Sequence, residues 1–236
     1  MEQELNPRPS PNVKVAIIAG IAGLLAAGSL AWLATQRADK SPETGIMRHD
    51  NITATVFWVG EGADESNANI HNRSSAWVED WVAAYGGVDD PENRCNMLPC
   101  GFAPQENPFY FALPYNDLDE SCKAKPSQTE IPWYNGPPPE GHSIVKDRWA
   151  RIEFAGKVAF AQWEDAGPFG EDDFDYVFRG EAPQSTRAGI DLSPATAEYL
   201  GIDGRDKVSW EFVDEADVPD GPWHQTITTT PPDCTR

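Results

Sequence analysis

Basic residues are scarce in this chain. Eighteen lysines and arginines face thirty-eight aspartates and glutamates over 236 residues, a formal net charge of −20. A surface so acidic repels phosphate backbones and anionic lipid headgroups, which excludes nucleic acid and acidic membrane surfaces as partners. Histidine is nearly as sparse, with four in all, and His142 and His224 stand alone. The four cysteines, Cys95, Cys100, Cys122 and Cys234, include one Cys-x4-Cys spacing with no companion Cys or His pair. Tetrahedral zinc sites need such a companion, so no metal is expected. Glu171 to Asp175 is acidic but lacks the ligand spacing of a calcium loop. Nothing in the chain calls for a cofactor. Long apolar runs are also missing, with one exception.

That exception is Val15 to Ala34, uncharged throughout, with Lys14 before it and Arg37 and Lys40 after it. About 20 apolar residues span a bilayer as a helix. The run exceeds a signal-peptide core and no clean small-x-small cleavage site follows it, so an uncleaved transmembrane signal anchor is expected at 15–34. Residues 1–14 then form an N-terminal tail and 35–47 a linker. No cysteine closely follows the run, which excludes a lipid-modified anchor there. The expected location is membrane-anchored, with the following domain on the extracytoplasmic side. All four cysteines lie in that exported portion, and an even count in an oxidising compartment predicts two disulfides. Local pairing of Cys95 with Cys100, or of Cys100 with Cys122, is favoured, and Cys234 is expected to tie down the C-terminal tail, 216–236.

Between the linker and the tail, 48–215 reads as one mainly β domain. Ile52 to Gly60 is β-branched and aromatic with alternation, a strand. Ser74 to Tyr85 carries Trp77, Val78, Trp81 and Val82 at helical spacing. Gly86 to Gln105 reads as loop, and Phe109 to Asp117 as a strand running into a turn. Residues 123–142 are proline-rich and read as an irregular surface loop. Trp149–Phe154 and Lys157–Trp163 form a hairpin across Ala155-Gly156. Lys207 to Val213 is a closing strand. Short strands with turns and two short helices fit a small β-barrel.

The chemistry centres on two aspartates. Lys157 to Trp163 delivers Asp165 into a Gly167-Pro168 turn. A second short strand delivers Asp191 ahead of Leu192-Ser193-Pro194-Ala195. On local chemistry alone Asp165 is a turn residue and Asp191 a helix N-cap. Held at the ends of strands, two carboxyl groups can also perform acid/base work on a glycosidic bond.

The segments Asp165-Ala166-Gly167-Pro168-Phe169 and Ile190-Asp191-Leu192-Ser193, the second followed by a helix ending in Leu200-Gly201, resemble the two signature segments of the rare lipoprotein A type of double-psi β-barrel. Expansins and family 45 endoglucanases share that barrel. The resemblance covers roughly 146–213 well and 51–122 loosely. It implies a six-stranded double-psi barrel acting on or binding cell-wall polysaccharide or peptidoglycan. Asp165 then matches the lipoprotein family's catalytic aspartate and Asp191 the acid of expansins and family 45, while Glu61 falls near the family 45 base. Leu113-Pro114 aligns with a Leu-Pro that follows the family's catalytic histidine. This puts Tyr110 in the histidine's place, with Asp117 as the nearby acid. Tyr110, Tyr115, Trp58, Trp163 and Phe169 are the candidate sugar-binding residues, and burial against such rings would raise the pKa of the catalytic carboxyls. Three functions follow as expectations. One is glycan cleavage, hydrolytic or lytic. Another is expansin-like loosening without cleavage. The last is a non-catalytic structural or interaction domain of the envelope.

Overall fold

The structure, a computed structural model, describes residues 47–65, 67, 69–232 and 234. The expected tail, anchor and most of the linker (1–14, 15–34 and 35–46) lie outside the described residues. Among the described residues no helix is long and apolar enough to cross a membrane.

Six strands close into a barrel: β1 (Arg48–Val56), β4 (Tyr110–Leu113), β5 (Trp149–Phe154), β6 (Lys157–Ala166), β7 (Ile190–Leu192) and β8 (Asp206–Val213), in the spatial order β1-β7-β4-β6-β5-β8. Two neighbouring pairs, β1 with β7 and β4 with β6, are parallel, and the other contacts are antiparallel. Closure removes the unpaired edges an open sheet would present. Beside the barrel, β2 (Arg94–Cys95) and β3 (Leu98–Pro99) make a two-stranded ribbon. The described residues also form three short α-helices, α1 (Trp81–Tyr85), α2 (Phe174–Arg179) and α3 (Pro194–Leu200), and three 3₁₀ turns, Pro126–Glu130, Glu215–Asp217 and Pro222–His224.

Two apolar clusters explain the pattern. The barrel interior holds Phe111, Leu113, Ile152, Trp163, Ile190, Leu192, Val208, Trp210 and Phe212. In β8 the buried residues Val208, Trp210 and Phe212 alternate with more exposed ones, the period-2 pattern of a wall with one wet face. A second cluster of Phe57, Val59, Val78, Trp81, Tyr85, Tyr110 and Ala112 lies against the opposite face of β4. β4 is therefore buried on both sides at all four positions. That is why Phe109 to Leu113 runs apolar without alternation.

Several expectations shift at their edges. β1 starts four residues earlier than the β-branched run and ends at Val56. Only Trp81–Tyr85 of the expected 74–85 helix is helical: Asp80 caps it, its side chain accepting from the Ala83 amide, and Gly86 ends it at φ 98°. The upstream Trp77 and Val78 still bury themselves, from a loop. α2 arises inside the stretch read as an acidic loop.

The disulfides are Cys95–Cys100, which clips the β2–β3 ribbon, and Cys122–Cys234, which fastens the tail. That tail packs as part of the core. Trp223 is buried, edge-on to Phe109 and tilted against Phe160. The Asn107 side chain donates to the Trp223 carbonyl, and Thr228 Oγ1 accepts from the Asn107 amide. The Thr228 amide in turn donates to Gln162 Oε1.

Candidate functional site

A register relation sets the site. Across the barrel wall Thr55 pairs with Asp191, Asp191 with Ala112, and Ala112 with Asp165. Paired residues on neighbouring strands share a face, so this row runs over four strands on one side of the wall. Phe111 and Leu113 point the other way, into the barrel. The parallel β4–β6 ladder slips between Phe111 and Ala112: Phe111 pairs with Trp163 and Ala112 with Asp165. Glu164 is thus an extra residue, a bulge, and bulges re-aim the side chains beside them.

The row opens into a cavity of about 1020 Å³ on the outer side of the wall, lined by Asp165, Asp191, Glu61, Trp58, Phe57 and Phe169 among others. Such a volume sits at the upper end of the roughly 300–1,000 Å³ usual for ligand pockets.

Asp165 is held tightly. Its Oδ1 accepts from the backbone amides of Ala76 at 2.7 Å and Ala166 at 2.8 Å, and Trp163 Nε1 donates to its carbonyl at 2.8 Å. Its Oδ2 has no hydrogen-bond partner among the described residues. Asp191, only partly exposed, accepts from Thr55 Oγ1. Burial pushes the Asp165 carboxyl up to about 7 against the pull of the two amides, and the neighbouring charges of Glu171 and Asp191 add to the rise. Burial likewise pushes Asp191 up to about 7, opposed by Thr55 and reinforced by Glu61. Glu61 is buried too, its Oε2 accepting from Asn72 Nδ2 at 2.8 Å, and burial raises its pKa. Asp165, Asp191 and Glu61 thus form a chain of interacting carboxyls with Asp191 in the middle.

Phe169 takes φ 58°, a left-handed conformation that is strained for a bulky side chain. Its ring stands at the cavity wall, with the Arg187 guanidinium 3.9 Å from its centroid.

Five of the nine candidate residues therefore meet here: Asp165, Asp191, Glu61, Trp58 and Phe169. The other four lie elsewhere. Asp117 is fully buried and accepts from Gln128 Nε2, Ser143 Oγ and the Ile144 amide, so it pins the 126–144 segment and does not line the cavity. Tyr110 is a core residue whose hydroxyl donates to Asp89 Oδ2 and accepts from the Val59 amide, each at 3.0 Å. Trp163 is fully buried inside the barrel, and Tyr115 is buried with its hydroxyl on Ser127. Large rings in strands satisfied the core before they could serve a surface.

Asp191 is also not the helix cap. Ser193 is, its Oγ accepting from the Thr196 amide at 3.2 Å.

Sequence reasoning missed Ala112 and Thr55. The one legible signal was a single small residue between Phe111 and Leu113.

No family model and no curated protein matches the chain. Among solved structures it is similar to a Streptomyces papain inhibitor, at 14% identity, covering 71% of this chain and 96% of that one, with a TM-score of 0.29. A likeness this loose leaves fold and function to be read from the chain itself.

Proposed function

We propose that this domain is a double-psi β-barrel of the rare lipoprotein A, expansin and family 45 type. On this reading it binds cell-wall polysaccharide or peptidoglycan in the Asp165–Asp191 cavity and hydrolyses it there. Residues 15–34 would hold it to a membrane, with the barrel on the extracytoplasmic side.

The observation that carries this reading is the row Asp191–Ala112–Asp165. Two carboxyl groups flank one small residue, on the same face, in one cavity with aromatic walls. The two parallel strand pairs within a closed six-stranded barrel support the finer fold description.

Inverting glycoside hydrolysis needs an acid to protonate the leaving oxygen and a base to activate water, with the carboxyls about 6.5–9.5 Å apart. The backbones of Asp165 and Asp191 lie two strand spacings apart, roughly 9.5 Å. Both carboxyls titrate near neutrality, and a coupled pair gives up its protons in two steps. On this reading Asp165, whose charged form two backbone amides favour, takes the part of the base, and Asp191, resting on one hydroxyl, the part of the acid.

One observation favours a second reading, expansin-like binding without cleavage. Tyr110, aligned with the histidine of the lytic family, is locked in the core and offers no titrating group to the cavity. Lytic chemistry is therefore the weaker branch. Incubation with purified peptidoglycan and with cellulose, followed by analysis of soluble products, separates the readings. New reducing ends that vanish in both Asp165→Asn and Asp191→Asn support hydrolysis. Glycan retention without products supports the expansin-like branch. Neither retention nor products would leave a structural or interaction domain.

A further inference from the structure

We propose that the cavity selects a cationic glycan, a chain of amino sugars whose amines are free ammonium groups, such as de-N-acetylated glucosamine units. This names a substrate class for the site above and rests on the glycan reading of it.

The charge lining the cavity comes in two tiers. At the bottom lie Asp165, Asp191 and Glu61. Around the rim stand Glu171, Glu198 and Asp203, all exposed. Arg94 is the one basic residue among the described residues lining it, and its Nε lies 3.9 Å from the rim carboxylate of Glu198. One Nη donates to Asp89, which is fully buried, and the other to the Met97 carbonyl. Six carboxyls against this one guanidinium leave the lining net acidic, which disfavours a uronate or a phosphate-bearing sugar. Concave walls of low dielectric focus this field and raise the local concentration of cations.

The chain is acidic everywhere, but surface carboxylates are solvated and cost little. Those at the bottom of the cavity are different. Asp165 is only 8% exposed, lines the cavity, and has Oδ2 without a protein partner. An acceptor left open to the cavity can take a donor from a ligand. An ammonium is a compact charge with three donors, and it satisfies such an oxygen better than a neutral hydroxyl does. Trp58 and Phe169 supply apolar faces for the sugar rings beside it. A bound ammonium also draws Asp165 and Asp191 toward their ionised forms, so binding near neutral pH releases protons.

The test is calorimetric titration of the full chain in detergent at neutral pH. The ligands are glucosamine, N-acetylglucosamine, cellulose and galacturonate oligosaccharides of equal length, with spermine as a ring-free cation. The glucosamine oligomer should bind at least about tenfold more tightly than the cellulose oligomer at low salt, and the gap should shrink as salt rises. Its binding heat should vary with the ionisation enthalpy of the buffer, which reports proton release. Glu198→Gln, a change at the exposed rim, should weaken glucosamine binding by about threefold, more than it weakens cellulose binding. Glu61→Gln, at the bottom of the cavity, should weaken glucosamine binding more than Glu198→Gln does. If the neutral or the acidic oligomers bind as tightly as the cationic one, the cationic preference is wrong while the glycan reading stands. Equal binding of spermine would show that charge alone is read, and would also overturn the proposal. If no oligosaccharide binds, the glycan reading itself fails.

Discussion

Asp165 and Asp191 lie on opposite sides of one residue. Each is the register partner of Ala112, Asp165 from the parallel neighbour β6 and Asp191 from the antiparallel neighbour β7. Strand β4 runs between the two carboxyl-bearing strands and offers only the methyl group of Ala112 at this level, where Ala112 lines the cavity. The spacing of the pair is fixed by the backbone ladder, and the room for a ligand by the size of one side chain.

Filling that room should silence the site. Ala112→Val adds two methyl groups where the wall is nearly closed to solvent. Overpacking of this kind costs about 1–3 kcal/mol, which a disulfide-bonded barrel should tolerate. Glycan binding should drop at least about tenfold while near-ultraviolet circular dichroism stays native. Binding that survives in a folded Ala112→Val protein would remove the pair from the site.

The protonation of Asp165 should appear as a pH dependence of stability. Its folded pKa is raised from 3.8 to about 7. A carboxyl with a raised folded pKa stabilises the fold fully below its unfolded pKa. That contribution is lost progressively as pH rises from about 4 to about 7, and it stays lost above. The Asp165→Asn protein keeps an acceptor for the Ala76 and Ala166 amides and has no proton to lose. Its melting temperature relative to the wild type should therefore climb between pH 5 and 8. The stability difference reaches at most roughly 4 kcal/mol, given 1.36 kcal/mol per pKa unit. A difference that is flat with pH would show that Asp165 is ionised throughout.

Helix α3 distinguishes two neighbouring residues. Ser193→Ala removes the cap and should cost about 1 kcal/mol, with faster hydrogen exchange at the amides of Ala197 and Gly201. Asp191→Asn should leave those amides protected, because Asp191 belongs to β7 and bonds to Thr55. Equal exchange in the two variants would contradict this division of labour.

The two disulfides should contribute unequally. Cys122–Cys234 spans 112 residues and Cys95–Cys100 only 5. In the chain-entropy account a loop near 100 residues is worth about 4.7 kcal/mol, and a short one much less. Replacing both Cys122 and Cys234 by serine should lower the melting temperature more than replacing Cys95 and Cys100. It should also expose Trp223, which would register as a red shift of tryptophan emission. A larger loss from the short loop would show that the ribbon, and not the tail, limits stability.

The bulge at Glu164 shows how far local pattern reaches. Lys157 to Trp163 alternates enough to reveal a strand, and Gly167-Pro168 reveals its end. The extra residue between Trp163 and Asp165 has no local signature. Glu164 there is buried, 3.0 Å from the ammonium of buried Lys146, a partner eighteen positions upstream, and the register places Asp165 opposite Ala112.

The sequence by itself determined what depends on neighbours along the chain. The β5–β6 hairpin follows from Ala155-Gly156, β7 and α3 from Ile190 to Gly201, and the mainly β character from short β-branched runs. Both central aspartates were legible because each ends a strand before a turn or a helix. Tertiary structure decided which groups face one another. Four aromatic and acidic candidates looked equivalent to Trp58 and Phe169 in one dimension. Tyr110 and Trp163 went to the core because β4 and the end of β6 are covered on both sides, and Tyr115 and Asp117 went to the 126–144 segment, whose polar groups they bind. Only the register across four strands could bring Asp165, Ala112, Asp191 and Thr55 into one row, since hydrogen bonds between strands join residues far apart in sequence.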